Sequence, residues 1–77
     1  MVTIKLFGTL RLKTGCKSIE ADVSNVREGL EALSEATGLS YKEFKQCITC
    51  INGAQAKLSA PLRDGDELAL FSPSGGG

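Results

Sequence analysis

Glu67-Leu68-Ala69-Leu70-Phe71 runs directly into Ser72-Pro73-Ser74-Gly75-Gly76-Gly77, an alternating stretch followed by a glycine-rich one. Successive side chains of a strand point to opposite faces. Leu68 and Leu70 therefore share one face and Ala69 and Phe71 the other, which predicts a strand over 67–71 with one side on a core. Val2 to Phe7 has the same period, with Val2, Ile4 and Leu6 on one face and Thr3, Lys5 and Phe7 on the other. A first and a last strand of matched pattern can lie side by side in the middle of one sheet, with a helix across their apolar face. The fold class expected is a two-layer α+β domain.

The residues between these ends supply the remaining elements. Ser18 to Val23 sets Ile19, Ala21 and Val23 against Glu20 and Asp22, and Thr14-Gly15-Cys16 lies in the connection before it, so the first two runs are expected to form a hairpin. Asn25 with Glu28 three positions on is a capping signal. Val26, Leu30, Leu33 and Thr37 then recur at helical spacing up to Gly38, giving the one long helix over 25–37. Gly29 weakens that helix by about 1 kcal/mol relative to Ala unless close packing on the sheet requires the missing side chain. Ser40 and Glu43 repeat the capping pattern for a short helix through Gln46. Ile48 to Asn52 reads as a strand, Asn52-Gly53 as a hairpin turn and Ala54 to Leu58 as a short return strand, with further turns at Pro61-Leu62 and Asp64-Gly65-Asp66. The expected order is strand, strand, helix, short helix, strand, short strand, strand. It fills one domain over 1–71 and leaves 72–77 as a flexible C-terminal tail that neither extends a strand nor packs a core.

Size and charge exclude several functions. Seventy-seven residues make one small domain. Ordering them costs on the order of 100 kcal/mol, which a single small core barely offsets, so little interior remains for a ligand cavity. The absence of His removes the usual general base and the usual metal ligand, and nine Lys and Arg against nine Asp and Glu give no basic surface for nucleic acid. No stretch is apolar enough to span a membrane and Lys5 interrupts the N-terminal run, so neither a membrane partner nor a signal peptide is expected, and the compartment expected is the cytoplasm. Three cysteines suit reduced thiols better than a disulfide framework. Cys47-Ile48-Thr49-Cys50 has the spacing of a metal or redox pair. A zinc site would still lack ligands, and Cys47 follows a short helix instead of opening one, so ordinary thiols and no metal are expected. Arg11, Lys13 and Lys17 cluster in the first turn region, as a solvated loop or as charges that steer an acidic partner.

The tail is the segment best suited to chemistry. Glycine lacks a Cβ, so a run of it can thread a channel too narrow for other residues. A terminal α-carboxylate has an ordinary pKa near about 3.5, and when ionised it can attack an activated phosphate. Pro73 stiffens the exit from the last strand and points the arm away from the domain. Phe7 and Phe71 fall on the face away from the apolar set. If the two strands are neighbours, the rings either form an exposed docking patch beside the tail or are covered by the chain's own loops.

Ile4-Lys5-Leu6-Phe7-Gly8-Thr9-Leu10-Arg11, Asn25-Val26, Ile51-Asn52-Gly53 and Leu62-Arg63-Asp64-Gly65-Asp66-Glu67-Leu68-Ala69-Leu70-Phe71-Ser72-Pro73, ending in Gly76-Gly77, resemble the ubiquitin-like sulfur carriers, in particular the small subunit of molybdopterin synthase. The resemblance covers the whole chain. It implies a β-grasp fold, a mixed sheet of four to five strands with one main helix on one face. It also implies a protein cosubstrate, monomeric when free, that is not itself an enzyme and binds no cofactor. An E1-like adenylating enzyme would use MgATP to adenylate the carboxylate of Gly77, and a sulfur donor would convert the adenylate to a thiocarboxylate. In the molybdopterin branch the tail, kept slim by Gly75 and Gly76, would enter the large synthase subunit, where the terminal sulfur attacks a pterin precursor. Phe7, Arg11, Phe71 and Pro73 would meet these partners. Relatives usually carry a second proline where Ser72 stands and Ala, Ser or Thr where Gly75 stands. Three alternatives therefore stay open: a carrier for thiamine, cysteine or tRNA thiolation, a protein modifier joined to lysines through Gly77, and an interaction domain with an inert tail.

Overall fold

The computed structural model describes residues 1–72. In chain order the elements are β1 (Val2–Leu6), α1 (Thr9–Thr14), β2 (Ser18–Ala21), α2 (Val26–Thr37), α3 (Tyr41–Lys45), β3 (Ile48–Ile51), β4 (Ala54–Gln55) and β5 (Glu67–Phe71). The strands form one mixed sheet in the order β2-β1-β5-β3-β4. β1 and β5 are its parallel central pair, in register from Thr3 with Glu67 to Leu6 with Leu70, and the other pairs are antiparallel. This is the expected β-grasp arrangement. Of the expected tail over 72–77, residues 73–77 lie outside the described residues.

Alternation sends Val2, Ile4, Leu6, Leu68 and Leu70 to one face of the sheet, where they are sealed by Val26, Leu30 and Leu33 of α2 and by Phe44 of α3. The helix lies so close that a Cβ on Gly29 would stand 2.8 Å from Leu68 Cδ2. Gly29 is therefore the contact point between the layers, and its lack of a side chain is what packing requires. The ends of α2 are fixed as expected. Asn25 Oδ1 accepts the Glu28 N–H at 2.9 Å, Glu28 reaches back to the Ser24 N–H at 2.8 Å, and Gly38 closes the helix in the left-handed region at φ 80°.

Four expectations are corrected. The connection between β1 and β2 is not a plain hairpin loop but holds α1, whose one buried side chain is Leu10. A helix of a turn and a half with a single apolar anchor has no periodicity to detect. β2 stops at Ala21 instead of continuing to Val23. The return strand β4 is only two residues long and does not reach Leu58. The carbonyls of Leu58 and Ala60 instead accept the N–H groups of Arg27 and Val26 at 3.0 and 3.1 Å, so this segment satisfies the open first turn of α2 and not a strand ladder. Lastly, Ser40 precedes α3 without a capping hydrogen bond from its side chain.

Asn52 and Gly53 turn the β3–β4 hairpin with φ of 50° and 90°, the paired positive values of a tight primed turn. The Asn52 side chain also accepts the Glu67 N–H and donates to Asp66, each at 3.0 Å, which ties the turn to the start of β5. The Arg63 N–H bonded to Asp66, followed by the Asn52 amide, holds this exposed carboxyl below its ordinary pKa. Among the described residues no helix is long and apolar enough to cross a membrane.

Two outcomes are expected. Gly29→Ala improves local helix propensity by about 1 kcal/mol, but forcing Leu68 to shift costs about 1–3 kcal/mol, so the variant unfolds at lower urea concentration. An unchanged or raised midpoint would contradict this contact. A carboxyl with a lowered folded-state pKa stabilises above its unfolded value and loses that contribution as pH falls through the folded value. Melting temperature followed downward from about pH 4 should therefore fall more steeply for the wild type than for Asp66→Asn. Parallel curves would remove Asp66 from this account.

Candidate functional site

The site begins with the register of the central strands. Leu6 lies opposite Leu70, and the Phe7 N–H donates to the Leu70 carbonyl at 3.0 Å, which leaves Phe7 and Phe71 adjacent on the face turned away from α2. Their rings stack with centroids 4.8 Å apart and planes 12° from parallel. Phe71 stays 37% exposed, while Phe7 is half-buried beneath its neighbours. The exposed Ile48 pairs with Phe71 across β3 and β5, extending the apolar surface by one side chain. The open choice between exposed and covered rings thus resolves unequally: one ring faces solvent and the other is largely covered.

Part of that cover comes from α1. Gly8 turns the chain out of β1 with φ 67°, Leu10 anchors the helix in the core, and Arg11 comes round beside the aromatic pair. Its Nε donates to the Leu6 carbonyl at 2.7 Å, and its guanidinium carbon lies 5.2 Å from the centroid of the Phe7 ring. Such a cation over an exposed ring contributes about 0.5–1 kcal/mol, and the bond to Leu6 fixes the plane of the fork. Lys13 turns the other way and pairs with Glu43 of α3 at 3.2 Å, so the basic cluster expected in the first turn region is divided. At the other end of the patch Ser72 is held by a hydrogen bond of 2.8 Å between its hydroxyl and that of Thr9.

The structure therefore brings together Phe7, Arg11 and Phe71 among the candidates drawn from the sequence. Pro73, Gly75, Gly76 and Gly77 lie outside the described residues. Ile48, Thr9 and Ser72 were not singled out. Ile48 could have been found from its position opposite Phe71 once β3 is placed beside β5, whereas the meeting of Thr9 with Ser72 depends on α1, which had no signal.

The cysteines are elsewhere. Cys47 Sγ donates to the Glu43 carbonyl at 3.2 Å, and burial pushes its thiol pKa up, opposed by nearby Lys13. A raised pKa disfavours the reactive thiolate. Thr49 is buried toward the core, so its neighbour Cys50 lies on the opposite face of β3, and all three cysteines are free thiols. Among the described residues there is neither a cavity of ligand size nor a group of three side chains suited to a metal.

Residues 4–77 match the ThiS family. The crystal structure of SAMP1 from Haloferax volcanii is similar over 99% of this chain and 98% of its own, with 32% identity and a TM-score of 0.85. The solution structure of small archaeal modifier protein 1 from Methanosarcina acetivorans matches 99% of this chain and 95% of its own, at 26% identity and a TM-score of 0.85. The chain is also similar to a protein in the complex of subunits 1 and 2 of molybdopterin-converting factor from Helicobacter pylori 26695, with 26% identity, 99% and 97% coverage and a TM-score of 0.70. No curated protein matches the sequence.

Because the two rings touch face to face, Phe7→Leu and Phe71→Leu should not add independently. A double-mutant cycle in urea should return a coupling of about 0.5–1.5 kcal/mol. Strict additivity would mean that the stacked pair is not populated in solution.

Proposed function

The chain belongs to the ThiS family of ubiquitin-like sulfur carriers, and from that premise we propose that it carries sulfur as a thiocarboxylate on Gly77. Small carriers of this kind are protein cosubstrates and not catalysts. The observation that carries the reading is the Phe7–Phe71 stack with Arg11 fixed beside it, a preformed aromatic and cationic surface one residue from the start of the proposed tail. Aromatic and Arg side chains in such a setting are the groups that most often anchor a protein partner.

In the proposed reaction an E1-like adenylating enzyme docks on this face and draws the tail into its own site. A carboxylate oxygen of Gly77 attacks the α-phosphorus of MgATP, the bond to the bridging oxygen breaks, and pyrophosphate leaves. The product is a mixed anhydride with AMP. Hydrosulfide supplied by the sulfur donor then adds to the anhydride carbonyl, AMP departs with the bonding pair, and loss of the sulfur's proton leaves the thiocarboxylate. Gly75 and Gly76 give the arm the slenderness this insertion needs, and Pro73 stiffens its base. In this reading the chain binds no cofactor of its own, and MgATP belongs to the activating partner.

For the acceptor we propose molybdopterin synthesis, with the tail delivered to a large synthase subunit in the cytoplasm. The likeness to a protein in the Helicobacter pylori complex of molybdopterin-converting factor subunits supports this choice. A second reading, a modifier joined to target lysines through Gly77, is favoured by the likeness to two archaeal modifier proteins. Both readings require activation at the same carboxylate and differ in the product.

The test is intact-mass analysis of untagged protein, with a form lacking Gly77 alongside, after incubation with the E1-like adenylating enzyme of the source organism, MgATP and a sulfur donor. An exchange of one oxygen for sulfur, confined to the full-length chain, is expected. Conjugates on lysines without that exchange would favour the modifier, and failure to form any adenylate would overturn both readings and leave an interaction domain with an inert tail.

A further inference from the structure

Gly8 has φ 67° and ψ −143°, a backbone region that residues with a Cβ scarcely enter. The conformation lets β1 pass into α1 within two residues, and the missing side chain leaves room: a Cβ on Gly8 would stand 3.1 Å from Ser72 Oγ. Thr9, the first residue of α1, places its hydroxyl 2.8 Å from that same oxygen. Ser72 lies beyond the last register pair of β5, in which Phe71 meets Ile48. Its side chain is therefore fastened to the element that carries Arg11, and Leu10 and the Lys13–Glu43 pair fasten that element to the body of the domain.

Resting on the function proposed above, we infer that Thr9 and Ser72 form a hydroxyl clasp that positions the root of the reactive tail relative to the docking face. Residues 73–77 can span roughly 17 Å when fully extended, at about 3.3–3.6 Å per residue. On so short an arm the place from which it starts limits where the terminal carboxylate can stand relative to the α-phosphorus of ATP. Small errors of placement at a reacting centre are costly in rate. Docking depends on Phe7, Phe71 and Arg11, whose ring stack, cation–ring contact and bond to the Leu6 carbonyl use neither hydroxyl. Thr9 and Ser72 thus act on turnover through the tail and not on partner affinity; they are positioning residues.

Thr9→Val keeps the shape and β-branching of the side chain and removes the hydroxyl, Ser72→Ala removes the other half, and Thr9→Ser keeps the hydroxyl. The measurement is steady-state ATP–pyrophosphate exchange by the E1-like adenylating enzyme of the source organism, with carrier concentration varied and the melting temperature of each variant recorded. Removing one hydrogen bond that selects the productive root should lower kcat about threefold to tenfold. KM and melting temperature should stay at wild-type values, the double variant should be no worse than either single one, and Thr9→Ser should restore the rate. Wild-type kcat in both Thr9→Val and Ser72→Ala, a loss confined to KM, or a Thr9→Ser variant as slow as Thr9→Val would each overturn the clasp while leaving the carrier function standing. Wild-type protein that supports no exchange overturns the carrier function, and the clasp's role with it.

Discussion

The parallel pairing of β1 with β5 is the constraint on which the rest of the molecule depends. It joins residues near the two ends of the chain, with Thr3 beside Glu67 and Leu6 beside Leu70, and no tight turn can make a parallel pair. The intervening segment must cross over the sheet, and α2 does so with Val26, Leu30 and Leu33 seated on Ile4, Leu6, Leu68 and Leu70. Closing so long a loop costs only modestly more entropy than closing a short one, because the cost rises with the logarithm of length. What the pairing requires is a buried face. Gly29 allows the helix to approach closely enough to provide it.

The same register sets the aromatic face proposed for docking. The side-chain period of a strand is two, so a slip of one residue between β1 and β5 would set the alternation of one strand against that of the other and separate Phe7 from Phe71. Burial of the aliphatic set on the α2 side therefore also guards the aromatic stack on the other side against a one-residue slip, which would lose both. Core and docking face are thus two consequences of one alignment.

Much of this alignment is visible in the residues. The pattern of 67–71 marks β5 to its ends, the matched pattern of 2–7 marks its partner with one residue to spare, and Asn25, Glu28 and Gly38 mark the helix between them. That Phe7 and Phe71 share a face follows from alternation, and the register then sets them side by side. What was hidden depends on contacts between segments distant in sequence. α1 has one buried residue and no stripe, so nothing local distinguishes it from a loop. β4 is cut short because the carbonyls of Leu58 and Ala60 are drawn to the first turn of α2, a competition that no strand propensity expresses. Arg11 could be placed on the partner face only by resemblance, since its orientation comes from the Leu6 carbonyl and the Phe7 ring, both reached through the unforeseen helix.

In the function proposed, the chain takes part in chemistry by presenting its C-terminal group to a site that another protein supplies. Presentation demands an exposed apolar anchor, and an exposed apolar surface invites self-association. The stack moderates that conflict. Each ring hides one face of the other, Arg11 keeps a charge beside Phe7, and at the stack the large apolar side chains left exposed are Phe71 and Ile48. The anchor is thereby held rigid before any partner arrives, so docking loses little side-chain entropy and the small apolar area that remains can be used efficiently. Rigidity at the anchor has value only if the reacting end is aimed from the same frame. In this fold the aromatic pair, Arg11 and the hydroxyls at the tail root all meet where β1 gives way to α1.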